Sequence, residues 1–151
     1  LAAVEGLDLV PDAWLHLTTQ GLVLADDVRE DDVRAILDVA AERVARTPAF
    51  DLTLDRPEVT PEAIRWEATP SESPAEVRPA LREAIGSVWD VVPEASNSFA
   101  PHISIAYSNA TGPDTPIHAA LNAAHSRPTT AHIEIERVEL IVLNRDQRMY
   151  Q

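Results

Sequence analysis

Apolar residues in this chain recur at two different spacings, and the changes of spacing mark out its elements. From Glu30 to Arg46, Val33, Ile36, Leu37, Val39, Ala40 and Val44 keep a 3.6-residue period, which predicts a helix. Asp31 or Asp32 is placed to cap it. Ala75 to Val92 returns to that period through Val77, Leu81, Ile85, Val88 and Trp89. Asp114 to Ser126 makes a third helix with Asp114 as its cap. Elsewhere the pattern shortens to alternation. Trp14 to Thr19, Phe50 to Leu54, Ala63 to Thr69 and His102 to Tyr107 read as strands. In the third of these Ile64, Trp66 and Ala68 share one face. Pro70 through Pro74 is a proline-rich turn, and the β-branched stretch from Thr130 to Leu143 divides near Arg137 into two strands or a bent one.

Laid end to end, the order repeats: helix, His-containing strand, helix, strand, strand. One copy covers about residues 1–69 and the other about residues 75–145, so a single domain of two lobes is expected over 1–151. Val10-Pro11-Asp12 precedes the first His strand, and Val92-Pro93-Glu94 precedes the second. If the halves are duplicates, Leu1 to Val4 is the tail of a helix that starts upstream, and the natural chain extends before Leu1.

Composition narrows the function. At 151 residues the chain suits one well-buried domain. No apolar run approaches the roughly 18 residues needed to span a bilayer, and the first residues lack a basic-then-apolar leader, so no membrane association is expected. With no cysteine, disulfides, zinc ribbons and thiol nucleophiles are excluded, a composition compatible with the expected cytoplasmic location. The net charge is -13, and all 12 basic residues are arginines scattered along the chain. Gripping long nucleic acid requires a basic groove that displaces counterions, and no such run is present. A small phosphate-bearing ligand remains compatible, because a few local donors offset an unfavourable global field.

The chemistry resides in His16-Leu17-Thr18 and His102-Ile103-Ser104. In a strand, residues two apart share a face, so each His projects with its hydroxyl while Leu17 and Ile103 point into a core. Two imidazoles and two hydroxyls around one cavity suit phosphodiester cleavage. One neutral imidazole takes a proton from the attacking oxygen and one imidazolium gives a proton to the leaving oxygen. Thr18 and Ser104 donate to the non-bridging phosphate oxygens.

The strings Trp-Leu-His-Leu-Thr-Thr-Gln-Gly-Leu at 14–22 and Phe-Ala-Pro-His-Ile-Ser-Ile-Ala-Tyr at 99–107 resemble the paired motifs of the 2H phosphoesterases. That superfamily is also called 2′-5′ RNA ligase-like or cyclic phosphodiesterase. The resemblance covers nearly the whole chain in element order, and the two motifs are its specific part. It implies an α+β, bilobal, internally duplicated fold: two pseudo-symmetric antiparallel sheets flanked by helices around a central cleft. It further implies hydrolysis of a 2′,3′-cyclic or 1″,2″-cyclic phosphate, or handling of 2′-5′ linkages in RNA. Thr19 stands where the family usually has an apolar residue, and the family's opening strand and a strand after Tyr150 are not evident in the sequence.

Other residues carry weaker signals. Trp14, two places before His16, is a candidate to wall the cleft or stack on a base, and packing explains it equally well. Gln20 is a candidate polar contact. Tyr107 alternates onto the face opposite Ser104, which favours packing over its candidate role against substrate. Trp66 and Trp89 read as core. Asn97 and Ser98 fit a turn before the second motif, and Arg65, Arg145 and Arg148 are arginines able to neutralise phosphate. His118, His125 and His132 lack the His-apolar-hydroxyl pattern and read as structural or surface residues. No carboxylate or histidine spacing matches a metal site, so no metal or cofactor is expected.

The expected protein is a metal-independent phosphodiesterase, acting as a monomer on a small cyclic nucleotide or a short RNA end through His16, Thr18, His102 and Ser104. The alternative is a non-catalytic sensor of nucleotide or RNA that uses the same cleft.

Overall fold

The longest alternating segments of the sequence become the two seven-residue strands at the middle of a sheet. A computed structural model describes residues 1–23, 27–95, 97, 99–124, 130–144 and 149–150. Its elements are β1 (Leu7–Leu9), a 3₁₀ turn (Asp12–Trp14), α1 (Glu30–Val44), β2 (Phe50–Leu54), β3 (Glu58–Val59), β4 (Ala63–Thr69), α2 (Glu72–Gly86), β5 (His102–Ser108), α3 (Thr115–Ala124), β6 (Ala131–Ile135), β7 (Leu143–Asn144) and β8 (Met149–Tyr150). The fold class is α+β. The chain forms two compact units, one from Leu1–Thr18, Asp51–Ser71 and Ala100–Ile133, the other from Thr19–Phe50, Glu72–Phe99 and Glu134–Gln151.

The first unit is built around the sheet, whose order is β1-β5-β4-β2-β6, with β3 pairing β4. β5 runs antiparallel to both β1 and β4. The β4–β5 register is broken once: Ile64 faces Ala106 and Arg65 faces Ser104, so Ile105 is skipped as a bulge. One face is consequently apolar from end to end. Ile64, Ala68, Ile103 and Ala106 are buried on it, and Ile64 and Ala106 pack with Leu121 of α3, Leu7, Val59 and Ile117. Removing that surface from water is what holds α3 to the sheet.

The second unit is a helix pair. Ile36 and Ala40 of α1 meet Ala84 and Ile85 of α2, with Leu22, Val39, Leu81, Val88, Trp89 and Val92 around them. Arg43 of α1 pairs with Glu83 of α2, and Trp89 Nε1 donates to the Asp32 carboxylate at 3.2 Å. β7 and β8 form a separate two-stranded ladder.

Several sequence expectations are corrected. α2 begins at Glu72 rather than Ala75, because Pro74 falls in the first turn, where its missing N–H costs nothing. It ends at Gly86, yet Val88 and Trp89 keep helical spacing because both backbone N–H groups return to the Ile85 carbonyl. α1 is preceded by Arg29 with no side-chain cap, and Asp31 and Asp32 lie inside its first turn, where carboxylates favour the helix dipole. Leu1 to Val4 forms a single turn closed by Val4 N–H to Leu1 C=O at 2.8 Å. β1 then takes the place beside β5, being too short for alternation to reveal. Trp14 to Thr19 is not a regular strand: Trp14 closes the 3₁₀ turn after Pro11, and only Leu17 bridges to β5. In the stretch from Thr130 to Leu143, β6 stops at Ile135. Val138, Leu140, Ile141 and Val142 then run exposed outside any strand.

Candidate active site

All four motif residues belong to the first unit. Leu17 makes an antiparallel bridge to Ile103, the middle residue of the second motif. One step to either side, the antiparallel sense sets His16 opposite Ser104 and Thr18 opposite His102. Ile103 is buried on the apolar face, so His102 and Ser104, its neighbours in β5, share the other face, and strand geometry carried through the bridge at Leu17 would add His16 and Thr18 to it. His16 and His102 are thereby diagonal neighbours, a relationship that separates Cα atoms by roughly 7–8 Å and lies within the reach of long side chains.

Both rings are held the same way. His16 Nδ1 is 2.8 Å from the Trp14 carbonyl oxygen, and His102 Nδ1 is 2.8 Å from the Ala100 carbonyl oxygen. A carbonyl only accepts, so each Nδ1 carries hydrogen and each neutral ring has its lone pair on Nε2. In both motifs the residue two places upstream supplies the carbonyl. The 3₁₀ turn ending at Trp14 does this for the first, and the extended entry into β5 does it for the second.

The rest of the polar face follows from register. Arg65 lies opposite Ser104 and Glu67 opposite His102. Ala68 N–H donates to Pro101 C=O at 3.1 Å, so Glu67 and His102 form the adjacent non-hydrogen-bonded pair, the closer kind, with side chains nearest. Arg65 is matched by Glu58, with Nε and Nη2 at 3.2 and 3.1 Å from the same carboxylate oxygen. Glu67 carries no hydrogen bond or ion pair among the described residues. On β2 Thr53 stands opposite Thr69, and Thr53 Oγ1 is 3.1 Å from Nδ1 of His132, the structural histidine of β6.

Tyr107 requires a correction. Simple alternation sends it away from Ser104, but the bulge at Ile105 restores the parity, and Tyr107 pairs with Ala63 and Asp8 on the polar face. Trp14, in its 3₁₀ turn, is outside the alternation that would aim its ring with His16; its backbone oxygen is what serves that histidine. His118 Nε2 lies 3.5 Å from the Asp114 carboxylate on the first turn of α3. His125, Arg145, Arg148 and Ser98 lie outside the described residues. Among the described residues no group of three His, Asp or Glu side chains could hold a metal ion.

Gln20 is in the second unit, engaged in a polar knot that sequence reasoning missed. Its amide donates to Gly21 C=O at 2.8 Å and Pro93 C=O at 3.0 Å, and its oxygen accepts from Arg78 Nε and Arg82 Nη1, each at 3.1 Å. Arg78 is only 4% exposed. It also donates to the Glu94 carboxylate at 3.3 Å and the Ala95 carbonyl at 3.1 Å, with Phe99 beneath it at 5.1 Å. Glu94 adopts φ 59°, and a Cβ on Gly21 would stand 2.6 Å from its carboxylate oxygen, so this position requires glycine or a shift of Glu94. A ligand contact by Gln20 would have to displace one of these bonds. Beside the knot, Ala75, Arg78, Pro79, Arg82, Glu83, Asn97 and Phe99 line a cavity of about 400 Å³.

A model of the 2′-5′ RNA ligase superfamily matches residues 2–147, which includes both motifs and every strand of the main sheet. The chain belongs to the 2′-5′ RNA ligase superfamily. The same fold is seen in the crystal structure of TT0787 of Thermus thermophilus. The likeness has a TM-score of 0.60 and 22% identity, over 88% of this chain and 68% of that one. No curated protein matches the chain. No helix of the described residues is long and apolar enough to cross a membrane.

Within the superfamily fold, then, the chain presents its two His-x-hydroxyl motifs joined edge to edge. Glu67 was invisible to the sequence reading because only the β4–β5 register shows which residue stands across from His102.

Proposed function

We propose that this member of the superfamily is a metal-independent phosphodiesterase in which His16 and His102 act as general base and general acid through Nε2. Its substrate class is a 2′,3′-cyclic phosphate, a cyclic nucleotide or a 2′-5′-linked RNA end. The observation that carries the reading is the common holding of the two rings, Nδ1–H to the carbonyl two residues upstream, on segments bridged at Leu17 and Ile103. A fixed tautomer presents the same nitrogen of each ring to one diester, as paired proton transfer requires. Water attacks phosphorus as one imidazole takes its proton, and the bond to the leaving sugar oxygen breaks as the other imidazole supplies one. Thr18 and Ser104 hold the non-bridging oxygens, where donors act most strongly when placed before the charge develops. Tyr107, on the same face, is the proposed contact to the sugar or base, with Trp14 and Gln20 as weaker candidates. The reading also includes origin by duplication into a two-lobed fold, on the repeated element order, and a cytoplasmic setting.

A screen of 2′,3′-cyclic nucleotides, ADP-ribose cyclic phosphate and 2′-5′ dinucleotides, with products assigned by phosphorus NMR, tests it. Hydrolysis in one class supports the assignment. Binding of a nucleotide without turnover, weakened by substitution of His16 or His102, would establish the sensor instead.

A further inference from the structure

The two histidines are held alike, and one of them, His102, has a carboxylate across from it in the sheet. Opposite His102, in the closer type of pair, stands Glu67, exposed and without an ion pair or hydrogen bond among the described residues. The neighbouring cation on this strand face, Arg65, is already matched by Glu58. An unmatched carboxylate beside a phosphate site is costly for any anion that binds there, so its presence calls for a use.

We infer that Glu67 is a specificity residue that discriminates product from substrate by charge, speeding release of the phosphomonoester. This rests on the diesterase reading above. A cyclic phosphodiester carries one negative charge. Hydrolysis adds water across one P–O bond, the proton goes to the freed sugar oxygen, and phosphorus retains a second ionisable oxygen. The resulting monoester has a second pKa of about 6 and carries nearly two charges above neutrality. Coulomb repulsion scales with the charge on the ligand, so a fixed carboxylate opposes the product about twice as strongly as the substrate. The hydroxyls of Thr18 and Ser104 and the two imidazoles grip both species; Glu67 tilts the balance toward letting the product leave.

The test compares wild type, Glu67→Gln and Glu67→Asp on 2′,3′-cyclic CMP, with 2′-CMP and 3′-CMP as inhibitors. Glu67→Gln is expected to lower the product inhibition constant by roughly 3–10-fold and to lower KM by less, so that their ratio falls. Glu67→Asp, which keeps the charge, is expected to stay near wild type. The difference should fade at about 1 M salt, where the screening length shrinks to ~3 Å, which a packing defect would not do. An unchanged ratio in Glu67→Gln, or a change that persists at high salt, overturns the inference while turnover of the cyclic nucleotide leaves the diesterase reading standing. Absence of wild-type turnover of this nucleotide and of every diester in the screen above overturns both.

Discussion

Leu17 and Ile103, the central residues of the two motifs, meet in an antiparallel bridge although they are far apart in sequence. Apolar side chains on one face thus set the register of the proposed catalytic side chains on the other, since a slip of one residue would turn every group over. Directly opposed residues in antiparallel strands have Cα atoms about 4.5–5.5 Å apart, inside the range a disulfide spans.

The chain has no cysteine of its own, so this register is open to a clean check. Under oxidising conditions the double variant Leu17→Cys, Ile103→Cys should form an intramolecular disulfide, read by mass spectrometry and non-reducing gel. The pair Leu17→Cys, Ile105→Cys should not. The reverse pattern would mean the bridge is misplaced.

The tautomers are equally accessible. Nitrogen-15 spectra of the histidine rings should show hydrogen on Nδ1 of His16 and His102 in the neutral forms, with Nε2 as the unprotonated nitrogen. A spectrum with hydrogen on Nε2 at both positions would remove the geometric basis for assigning that atom to catalysis.

Much of this arrangement was legible in the sequence, and the rest was hidden for identifiable reasons. Period-3.6 spacing gave α1 nearly whole, and alternation gave β2 and β4 to the residue. His16, Thr18, His102 and Ser104 stood out because a His, an apolar residue and a hydroxyl recur as a set. What failed was whatever depends on a partner strand. The bulge at Ile105 reverses the face of Tyr107, and neither it nor the pairing of Glu67 with His102 has a local signature. Arg78 sits between Val77 and Leu81 in an apolar pattern, and its partners Gln20, Glu94 and Ala95 are distant in the chain. Trp14 looked like a strand residue, but the turn that follows Pro11 claims it.

Arg78 is expected to be a stability residue. Replacing it with Ala strips donors from Gln20, Glu94 and the Ala95 carbonyl, and losing such a buried network should cost about 2–4 kcal/mol. Urea unfolding would measure this. Arg78→Lys should recover only part, since an ammonium cannot span the same acceptors as a guanidinium. A midpoint unchanged in Arg78→Ala would show the knot to be incidental.

Because the proposed chemistry is proton transfer and hydrogen bonding, turnover should persist in EDTA. Loss of activity in chelator, restored by a divalent cation, would recast the histidines as ligands. Under the same assay Thr18→Ala and Ser104→Ala should each cost less than removal of either histidine, since one donor is lost and proton transfer remains.

The opposite protonation demands on the two rings predict a pH–rate profile with a maximum, its two limbs belonging to the coupled pair. Replacing one histidine should abolish the limb that depends on it. A wild-type profile that rises or falls monotonically through the imidazole range would exclude the acid–base division.

The most direct measurement is kcat for His16→Ala, His102→Ala and the double variant on whichever cyclic phosphate the screen identifies. Each single substitution should lower kcat on the order of 10²–10⁴-fold. The double variant should fall little further, because residues that act as a unit are strongly non-additive. Single variants that keep near wild-type kcat, or losses that multiply in the double variant, would contradict paired catalysis by His16 and His102.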